Sequence, residues 1–337
     1  MENLLNAIVL LSNFVIVPAM AYGSQLALGA LGVTLVYGIL RFSNFAHGEI
    51  MSFGAMSAIL FTWFFQSQGI GIKPAPTALI ALPFAILCTV VLLLLIDRVV
   101  YRYYRFKKSP PVVLLIASTG VMFFINGLIR FIIGPNDQQI ADGTRFVVKV
   151  REFKEWSGLN EGLAIKSSQL ISVAAAVVCV ALLFWFLNRT RAGKSMRAYS
   201  DNENLALLSG VNPDRVVMIA WILAAALATI AGTLYGLDKS YKPFTYLQLL
   251  LPIFASAIVG GIGSPVGAIV GGFIIAYSEV MVTYAYKKFL FYLVPESWAP
   301  EGLAQLLSTD YKFAVSFMIL VVVLIIRPTG IFSGKSL

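Results

Sequence analysis

Uncharged segments that are long enough to cross a lipid bilayer dominate the chain and predict membrane-spanning helices. A helix needs about 20 apolar residues to span the hydrocarbon layer, whereas an outer-membrane barrel shows strands of about 10 residues with alternating polarity. The pattern therefore predicts an all-α, polytopic helical membrane protein that forms one transmembrane domain over residues 1–337. The uncharged segments are residues 3–40, 50–72, 76–96, 109–129, 169–187, 216–237 and 243–278.

The charges between these segments predict the orientation. Residues 97–108 and 188–215 are rich in Lys and Arg, which the positive-inside rule places in the cytoplasm. Acidic and basic side chains balance in residues 135–168, which predicts a periplasmic loop. About nine membrane crossings (eight to ten) place these loops on their predicted sides, with the N terminus outside and the C terminus in the cytoplasm. The predicted spans are residues 20–40, 46–66, 76–97, 111–133, 169–187, 216–236, 245–263, 265–286 and 312–326.

The first 40 residues permit more than one arrangement. The uncharged stretch before Arg41 is too long for one upright helix and barely long enough for two. An interfacial or tilted helix over residues 3–19 is the favoured interpretation, and a further crossing there would move the N terminus inside. A cleaved signal peptide ending near Ala21 is disfavoured because no Lys or Arg precedes the apolar run.

Capping residues predict where three helices begin. Ser109-Pro110, Asn212-Pro213 and Ser264-Pro265 each place a side-chain acceptor before a proline, which is tolerated at the first helical position. The third pair follows the run Gly260 to Gly263 and divides a long apolar stretch into two close-packed helices. Glycines then recur every four residues, which favours tight helix packing over a direct contact with a ligand.

Composition excludes several function classes. Hydrophobic residues make up 59% of the chain and charged residues 12%, against about 25% charged in soluble proteins. The net charge of +9 reflects orientation rather than nucleic-acid binding. One histidine and two cysteines that lie within spans cannot build a zinc cluster or a disulfide framework. Residues 192–195 and 333–336 contain Gly-Lys-Ser but lack the second glycine of a phosphate-binding loop. The sequence predicts no enzyme and no cofactor bound by this chain.

The cytoplasmic segment 190–215 predicts a contact with a soluble partner. Its pattern indicates a helix of about fourteen residues from Ser195, ended by Gly210 and followed by the helix start at Asn212. A short helix held between two spans can transmit force from a partner to the membrane domain. The alternative is a plain amphipathic connector.

A few polar side chains stand out in this apolar chain as candidates for a transport pathway. Polar groups at membrane depth are costly and often functional, although a lone histidine more often satisfies backbone groups at a tight turn. Glu279 could also reach the outer interface. The pathway candidates are Asn44, His47, Glu49, Asn126, Gly260, Gly261, Gly263, Ser264 and Glu279.

Four motifs give the chain a resemblance to the permeases of bacterial branched-chain amino acid ABC importers, of the LivH type more than the LivM type. The resemblance covers about Ala21 to Gly330, and the chain departs from it in the apolar residues before Ala21 and in a long outer loop. The motifs are Leu40 to Glu49, Thr190 to Arg215, Ala231 to Gly236 and Ile258 to Ala268.

The resemblance implies an inner-membrane subunit that works in a complex. Residues 195–210 would be the coupling helix that docks on an ATPase. The implied partners are a second permease subunit of the LivM type, two ATPase subunits of the LivG and LivF type that bind ATP and magnesium, and a periplasmic binding protein for leucine, isoleucine or valine. The implied coupling residues are Arg191, Gly193, Arg197, Ala198, Asp201, Ala206, Gly210 and Arg215.

Other functions stay open on the sequence alone. A related permease could carry urea, short amides or another small polar solute, because the membrane motifs do not identify the cargo. A secondary carrier or channel would need no ATPase, and a membrane-embedded enzyme or scaffold would move no solute.

Overall fold

Nine long helices form the body of the protein, which is described here by a computed structural model. The structure describes residues 2–71, 74–139, 143–293, 302 and 304–332. By length and composition, nine helices within these residues could cross a membrane, which confirms the all-α polytopic class. They are α1 (Glu2–Leu40), α2 (His47–Ser67), α3 (Ala78–Phe106), α4 (Pro111–Ile133), α6 (Ser167–Arg189), α9 (Pro213–Lys239), α10 (Pro243–Gly260), α11 (Pro265–Thr283) and α13 (Lys312–Ile326, preceded by the 3-10 turn Thr309–Tyr311).

Short elements connect the long helices. Where the sequence predicted only a loop at residues 135–168, the described part contains an antiparallel strand pair in which Phe146 faces Lys166. The short elements are β1 (Phe146–Val148), α5 (Val150–Ser157), β2 (Ile165–Lys166), α7 (Arg191–Asp201), α8 (Glu203–Leu208) and α12 (Lys287–Leu293).

Helix α1 extends without a break from Glu2 to Leu40 and includes a π-helical turn at Ser12–Ile16, so the predicted start of the first span at residue 20 is wrong. Its 39 residues extend for about 58 Å at 1.5 Å per residue, roughly twice the thickness of the hydrocarbon layer. The projecting end is held by two asparagines. Asn6 Oδ1 accepts a hydrogen bond from the Glu161 amide and Asn13 Oδ1 accepts one from the Ala164 amide, each at 3.0 Å.

Helix α3 continues beyond its predicted end at residue 97, so most of the predicted basic loop is helical. A π-helical turn at Asp97–Tyr101 leads into a last helical stretch, Arg102–Phe106. The Asp97 carboxylate accepts hydrogen bonds from Arg105 on this stretch and from Trp221 Nε1 at 2.8 Å. These donors satisfy the acidic group, so the helix can continue past it.

Two of the three predicted helix starts are confirmed. Asn212 Oδ1 accepts from the Arg215 amide at 3.2 Å, and Ser264 Oγ accepts from the Gly267 amide at 3.1 Å. The prediction for Ser109 is wrong, because the helix begins one residue later, at Pro111. The N-cap is Pro110, which has no side-chain acceptor.

Helices α1, α2, α9, α10 and α11 form the packed centre of the bundle. Close backbone approach makes this possible: a Cβ atom added at Gly232 of α9 would overlap the Met51 carbonyl of α2. At one end of the bundle, here called the basic end, Arg41 contacts Ser200 of α7, and Arg102 lies 3.6 Å from the Asp214 carboxylate. Residues 135–139 and 143–168, which connect the far ends of α4 and α6, lie at the opposite end.

Candidate functional site

Residues 190–215, here called the coupling segment, connect α6 to the first turn of α9. They contain two short helices, so the prediction of one fourteen-residue helix from Ser195 is wrong. Helix α7 begins earlier, at Arg191, because Thr190 Oγ1 accepts from the Gly193 amide at 3.0 Å. It ends before Asn202, whose extended backbone and side-chain acceptor start α8; Asn202 Oδ1 accepts from the Leu205 amide at 3.1 Å.

The predicted helix end at Gly210, within the coupling segment, is confirmed. Gly210 has a φ of +81°, which glycine adopts without the strain of a side chain. The Gly210 amide donates to the Leu207 carbonyl and the Val211 amide donates to the Ala206 carbonyl, each at 3.0 Å. These two bonds form a Schellman motif, which turns the chain from α8 towards α9.

The candidate coupling residues fall into two groups. Gly193 and Ala206 are buried, and a Cβ atom at Gly193 would lie 2.6 Å from the Leu187 Cα, so these two positions hold the segment against the bundle. Arg197 is half-buried. The exposed members are Arg191, Ala198, Asp201, Gly210 and Arg215.

Three leucines that the sequence analysis did not single out are exposed on α8 and its end. The exposed fraction is 61% for Leu205, 42% for Leu207 and 85% for Leu208. They lie outside the nine long helices. Leu205 and Leu208 are three residues apart and share one face of α8, whereas Leu207 lies on another side. Because isolated exposed leucines are ordinary but an apolar cluster often marks an interaction site, the face formed by Leu205 and Leu208 is a candidate docking surface.

The coupling segment is fixed to the end of α1 by polar contacts. The Arg41 guanidinium donates to the Ser200 carbonyl, and Ser200 Oγ donates to the Gly38 carbonyl at 3.1 Å. Arg41 has a φ of +56°, an uncommon conformation for a residue with a side chain. These contacts join α7 to the turn between α1 and α2.

Tyr199 joins α7 to α8. Its hydroxyl donates to Glu203 Oε1 at 2.7 Å. Burial first, and the neighbouring Glu203 second, raise the pKa of the Tyr199 phenol above its ordinary value, so the phenol stays protonated and keeps donating at physiological pH. This bond braces the break at Asn202.

In the turn between α1 and α2, the Asn44 side chain holds the backbone and a neighbouring helix by hydrogen bonds. Its Oδ1 accepts from the Ala46 amide at 3.1 Å and from the Tyr101 hydroxyl at 3.2 Å. The Tyr101 ring stacks on Trp221 with centroids 5.2 Å apart, and Trp221 contacts Asp97. The turn is therefore connected to the basic end of α3 by a chain of contacts.

His47 and Glu49 lie deeper in the bundle and are both buried. His47 packs on α1, where a Cβ atom at Gly32 would lie 2.7 Å from its Cε1. Glu49 is 1% exposed, and its Oε1 accepts from Asn126 Nδ2 at 2.9 Å. The structure thus brings two pathway candidates together, Glu49 and Asn126, which nothing in the sequence pairs.

The backbones of α10 and α11 come into contact at four of the pathway candidates, Gly260, Gly261, Gly263 and Ser264. A Cβ atom at Gly260 would overlap the Gly267 carbonyl, and one at Gly261 would overlap the Phe332 carbonyl. Gly263 has a φ of +90°, and Ser264 caps α11. The sequence-based preference for tight packing here agrees with these contacts.

Glu279 lies apart from the other candidates, towards the end of the bundle opposite the coupling segment. It is 1% exposed and its Oε1 accepts from Ser316 Oγ of α13. Tyr22 of α1 and Lys312 of α13 line the same cavity. None of these three neighbours was predicted from the sequence.

A family model and curated relatives match most of the chain. A family model described as branched-chain amino acid transport system / permease component matches residues 15–324. The chain is 30% identical over 316 residues to the high-affinity branched-chain amino acid transport system permease protein LivH of Salmonella typhimurium, covering 92% of this chain and 91% of the relative. It is 27% identical over 318 residues to the probable LivH of Methanocaldococcus jannaschii, covering 93% and 90%. Among solved structures, PsaBC from Streptococcus pneumoniae in complex with Fab matches with a TM-score of 0.46 and 13% identity, covering 98% of this chain and 94% of that one.

Proposed function

Because the chain belongs to the family of permease components of branched-chain amino acid transport systems, we propose that it is the membrane subunit of an ATP-driven importer of leucine, isoleucine or valine. It is a multi-pass inner-membrane protein of the LivH type. The basic end faces the cytoplasm in this proposal, since the positive-inside rule assigns Arg- and Lys-rich connections to that side. The C terminus, which follows α13, then lies in the cytoplasm as well.

The apolar face of α8 carries the proposal that an ATPase subunit docks here. Leu205 and Leu208 lie beyond the basic end of the bundle, where no lipid tail covers them in the proposed orientation. Burying these two side chains contributes about 1.5–3 kcal/mol each to docking.

The contacts behind α8 support a transmitting role. A pull on α8 is carried to α7 through the Tyr199–Glu203 bond and from α7 to α1 through Arg41 and Ser200. The turn that follows Arg41 leads to the buried Glu49–Asn126 pair. Movement of the coupling segment therefore reaches polar side chains within the membrane domain.

The rest of the complex follows from this assignment. ATP and magnesium bind to the two ATPase subunits and supply the free energy for import. A second permease subunit of the LivM type completes the channel, and a periplasmic protein delivers the amino acid. This chain contributes the membrane pathway and the docking surface.

The test is uptake by vesicles in which the complex is purified in mild detergent with its copurifying subunits and reconstituted. We expect uptake of labelled leucine that requires ATP and the periplasmic protein, that vanadate inhibits, and that a protonophore leaves unchanged. Urea and acetamide test the other cargo class. Accumulation of leucine by vesicles that contain this chain alone would contradict the ATP-driven mechanism.

Arg41→Gln tests the transmitting contact. Loss of a charge-assisted hydrogen bond costs about 1.5–3 kcal/mol, so we expect leucine-stimulated ATP hydrolysis to fall about tenfold while the subunits still copurify. Arg189→Gln is the matched control, because Arg189 is an exposed arginine at the end of α6. Equal ATPase stimulation in the two variants would remove Arg41 from the coupling route.

A further inference from the structure

The segment where α3 ends and α4 begins, here called the α3–α4 junction (residues 97–112), emerges from the hydrocarbon layer at the basic end of the bundle. The 19 residues Ala78–Ile96 of α3 are uncharged, about the length that fills the hydrocarbon layer. The two stretches that follow, Asp97–Tyr101 and Arg102–Phe106, add five residues each, which extend about 15 Å further. The junction therefore lies in and just beyond the layer of lipid headgroups.

Positive charge exceeds negative charge in the α3–α4 junction, which contains five Lys and Arg residues and a single acid, Asp97. The Asp97 carboxylate is already occupied by Arg105 and Trp221. Arg102 lies 3.6 Å from the Asp214 carboxylate. Three exposed cations are left without an acidic partner among the described residues: Arg98, Lys107 and Lys108.

The apolar surface of α3 continues without interruption into the junction. Lys107 Nζ lies 4.5 Å from the centroid of the Tyr103 ring, and Arg102 Cζ lies 5.3 Å from that of the Phe106 ring. Cations beside aromatic rings are typical of the membrane–water interface, where the ring contacts lipid and the charge reaches the headgroups. At least half of each side chain in this surface, here called the apolar stripe, is exposed: Leu87, Val91, Leu95, Val99, Tyr103 and Phe106.

A cavity of about 510 Å³ lies between the junction and the coupling segment, and Lys108 lines it. Two acids line the cavity as well, but both have partners. Glu203 accepts from the Tyr199 hydroxyl, and Asp214 faces Arg102. The cavity thus leaves room for an anionic group beside Lys108.

We propose that the α3–α4 junction binds anionic phospholipids. Their headgroups contact Arg98, Lys107 and Lys108, and their acyl chains lie against the apolar stripe. A neutral lipid would cover the stripe and leave the three cations uncompensated, whereas a soluble anion would meet the cations and leave the stripe uncovered. An anionic lipid matches both, as basic clusters directly beyond a membrane helix generally do. In the proposed orientation these lipids belong to the cytoplasmic leaflet.

Thermal unfolding of the full-length chain, purified in mild detergent and titrated with lipid, tests the preference. The probes are phosphatidylglycerol, which is anionic, and phosphatidylcholine, which has no net charge. We expect phosphatidylglycerol to stabilise the chain at a concentration at least about tenfold lower, because each of the three cations adds to the attraction of an anionic headgroup. About 0.5 M NaCl should remove most of this difference by screening.

Three outcomes overturn the proposal. The first is equal affinity for the two lipids. The second is a preference that survives the added NaCl, since it would not arise from charge. The third is equal stabilisation by inorganic phosphate at the same concentration, which would identify a site for a soluble anion instead of a lipid.

A triple variant assigns the contacts. Arg98→Gln with Lys107→Gln and Lys108→Gln should bind the two lipids about equally. The exchange Arg98→Lys with Lys107→Arg and Lys108→Arg should keep the preference, because a headgroup at a membrane surface is attracted by charge rather than by one side-chain shape. An unchanged preference in the glutamine variant overturns the assignment.

The matched control removes the same three charges from the opposite end of the bundle, with Arg151→Gln, Lys149→Gln and Lys154→Gln. These side chains are exposed as well. An equal loss of preference in this control would overturn the assignment too, because it would trace the effect to net charge. The comparison of lipids on the unmodified chain decides even where a variant does not fold. It needs neither ATP nor a transported solute, so its result is independent of the proposed function.

Discussion

Replacing Leu205 and Leu208 together by glutamate is expected to abolish leucine-stimulated ATP hydrolysis and uptake. The two side chains are exposed by 61% and 85%, so the bundle itself should fold normally. Loss of their burial against a partner costs about 3–6 kcal/mol, and two carboxylates in an apolar interface add a desolvation cost. An affinity loss of about 10² to 10⁴ is expected, which separates the subunits at micromolar concentration.

The measurement is copurification of the ATPase subunits with the variant, followed by ATP hydrolysis and uptake in vesicles. Asn204→Glu with Ser209→Glu is the matched control, because it adds two charges to the same segment and keeps the leucines. The single variants Leu205→Ala and Leu208→Ala should each lose part of the copurification and activity, more than the control and less than the double glutamate variant. If the double glutamate variant retains its partners and its activity, α8 is not the docking surface.

The sequence predicted the helices of this protein better than their ends. Seven uncharged segments, combined with the charges of the loops and the helix start at Ser264-Pro265, located nine spans. The end of α3 was misplaced because the sequence does not show that Arg105 and Trp221 would satisfy Asp97. The break in the coupling segment was missed because Asn202 competes with the helix for the Leu205 amide, and such local competition is invisible in hydrophobic periodicity.

The candidate site was predicted in its residue types but not in its pairings. Polar residues in an apolar chain drew attention to Glu49, Asn126 and Glu279. Their partners come from distant positions: Asn126 is 77 residues from Glu49, and Ser316 is 37 residues from Glu279. Such contacts depend on how nine helices pack, and side-chain spacing within one helix does not encode them.

The exposed leucines of α8 were missed for a different reason. Leucine in a membrane protein carries little information by itself, since most leucines face lipid or the core. Only the position of Leu205 and Leu208 outside the long helices makes them unusual. Their interest depends on the Asn202 break, which turns α8 away from the line of α7.

Gly260→Ala is expected to destabilise the protein strongly, because α10 and α11 cross there in backbone contact. The added methyl group would overlap the Gly267 carbonyl, and on the next turn a Cβ atom at Gly271 would overlap the Ser256 carbonyl. The helices cannot separate freely, since the Gly260 carbonyl also accepts from the Phe332 amide at 3.0 Å. Overpacking costs about 1–3 kcal/mol, and an overlap with backbone on both sides belongs at the upper end, about 3 kcal/mol.

The consequence should be visible in the purified subunit as a fall in Tm of about 4 °C and a reduced yield of monodisperse protein. Gly120→Ala is the matched control: the same methyl group on α4 meets no atom within 4 Å and gains helix propensity, about 0.5–1 kcal/mol. Equal Tm values for the two variants would show that α10 and α11 can move apart enough to accommodate the added methyl group. At the same crossing, Gly261 contacts the segment that follows α13. We therefore expect Gly261→Ala to lower the Tm as Gly260→Ala does, because its Cβ would overlap the Phe332 carbonyl. A shared loss at both positions would identify packing, rather than passage of a solute, as the reason for glycine at this turn.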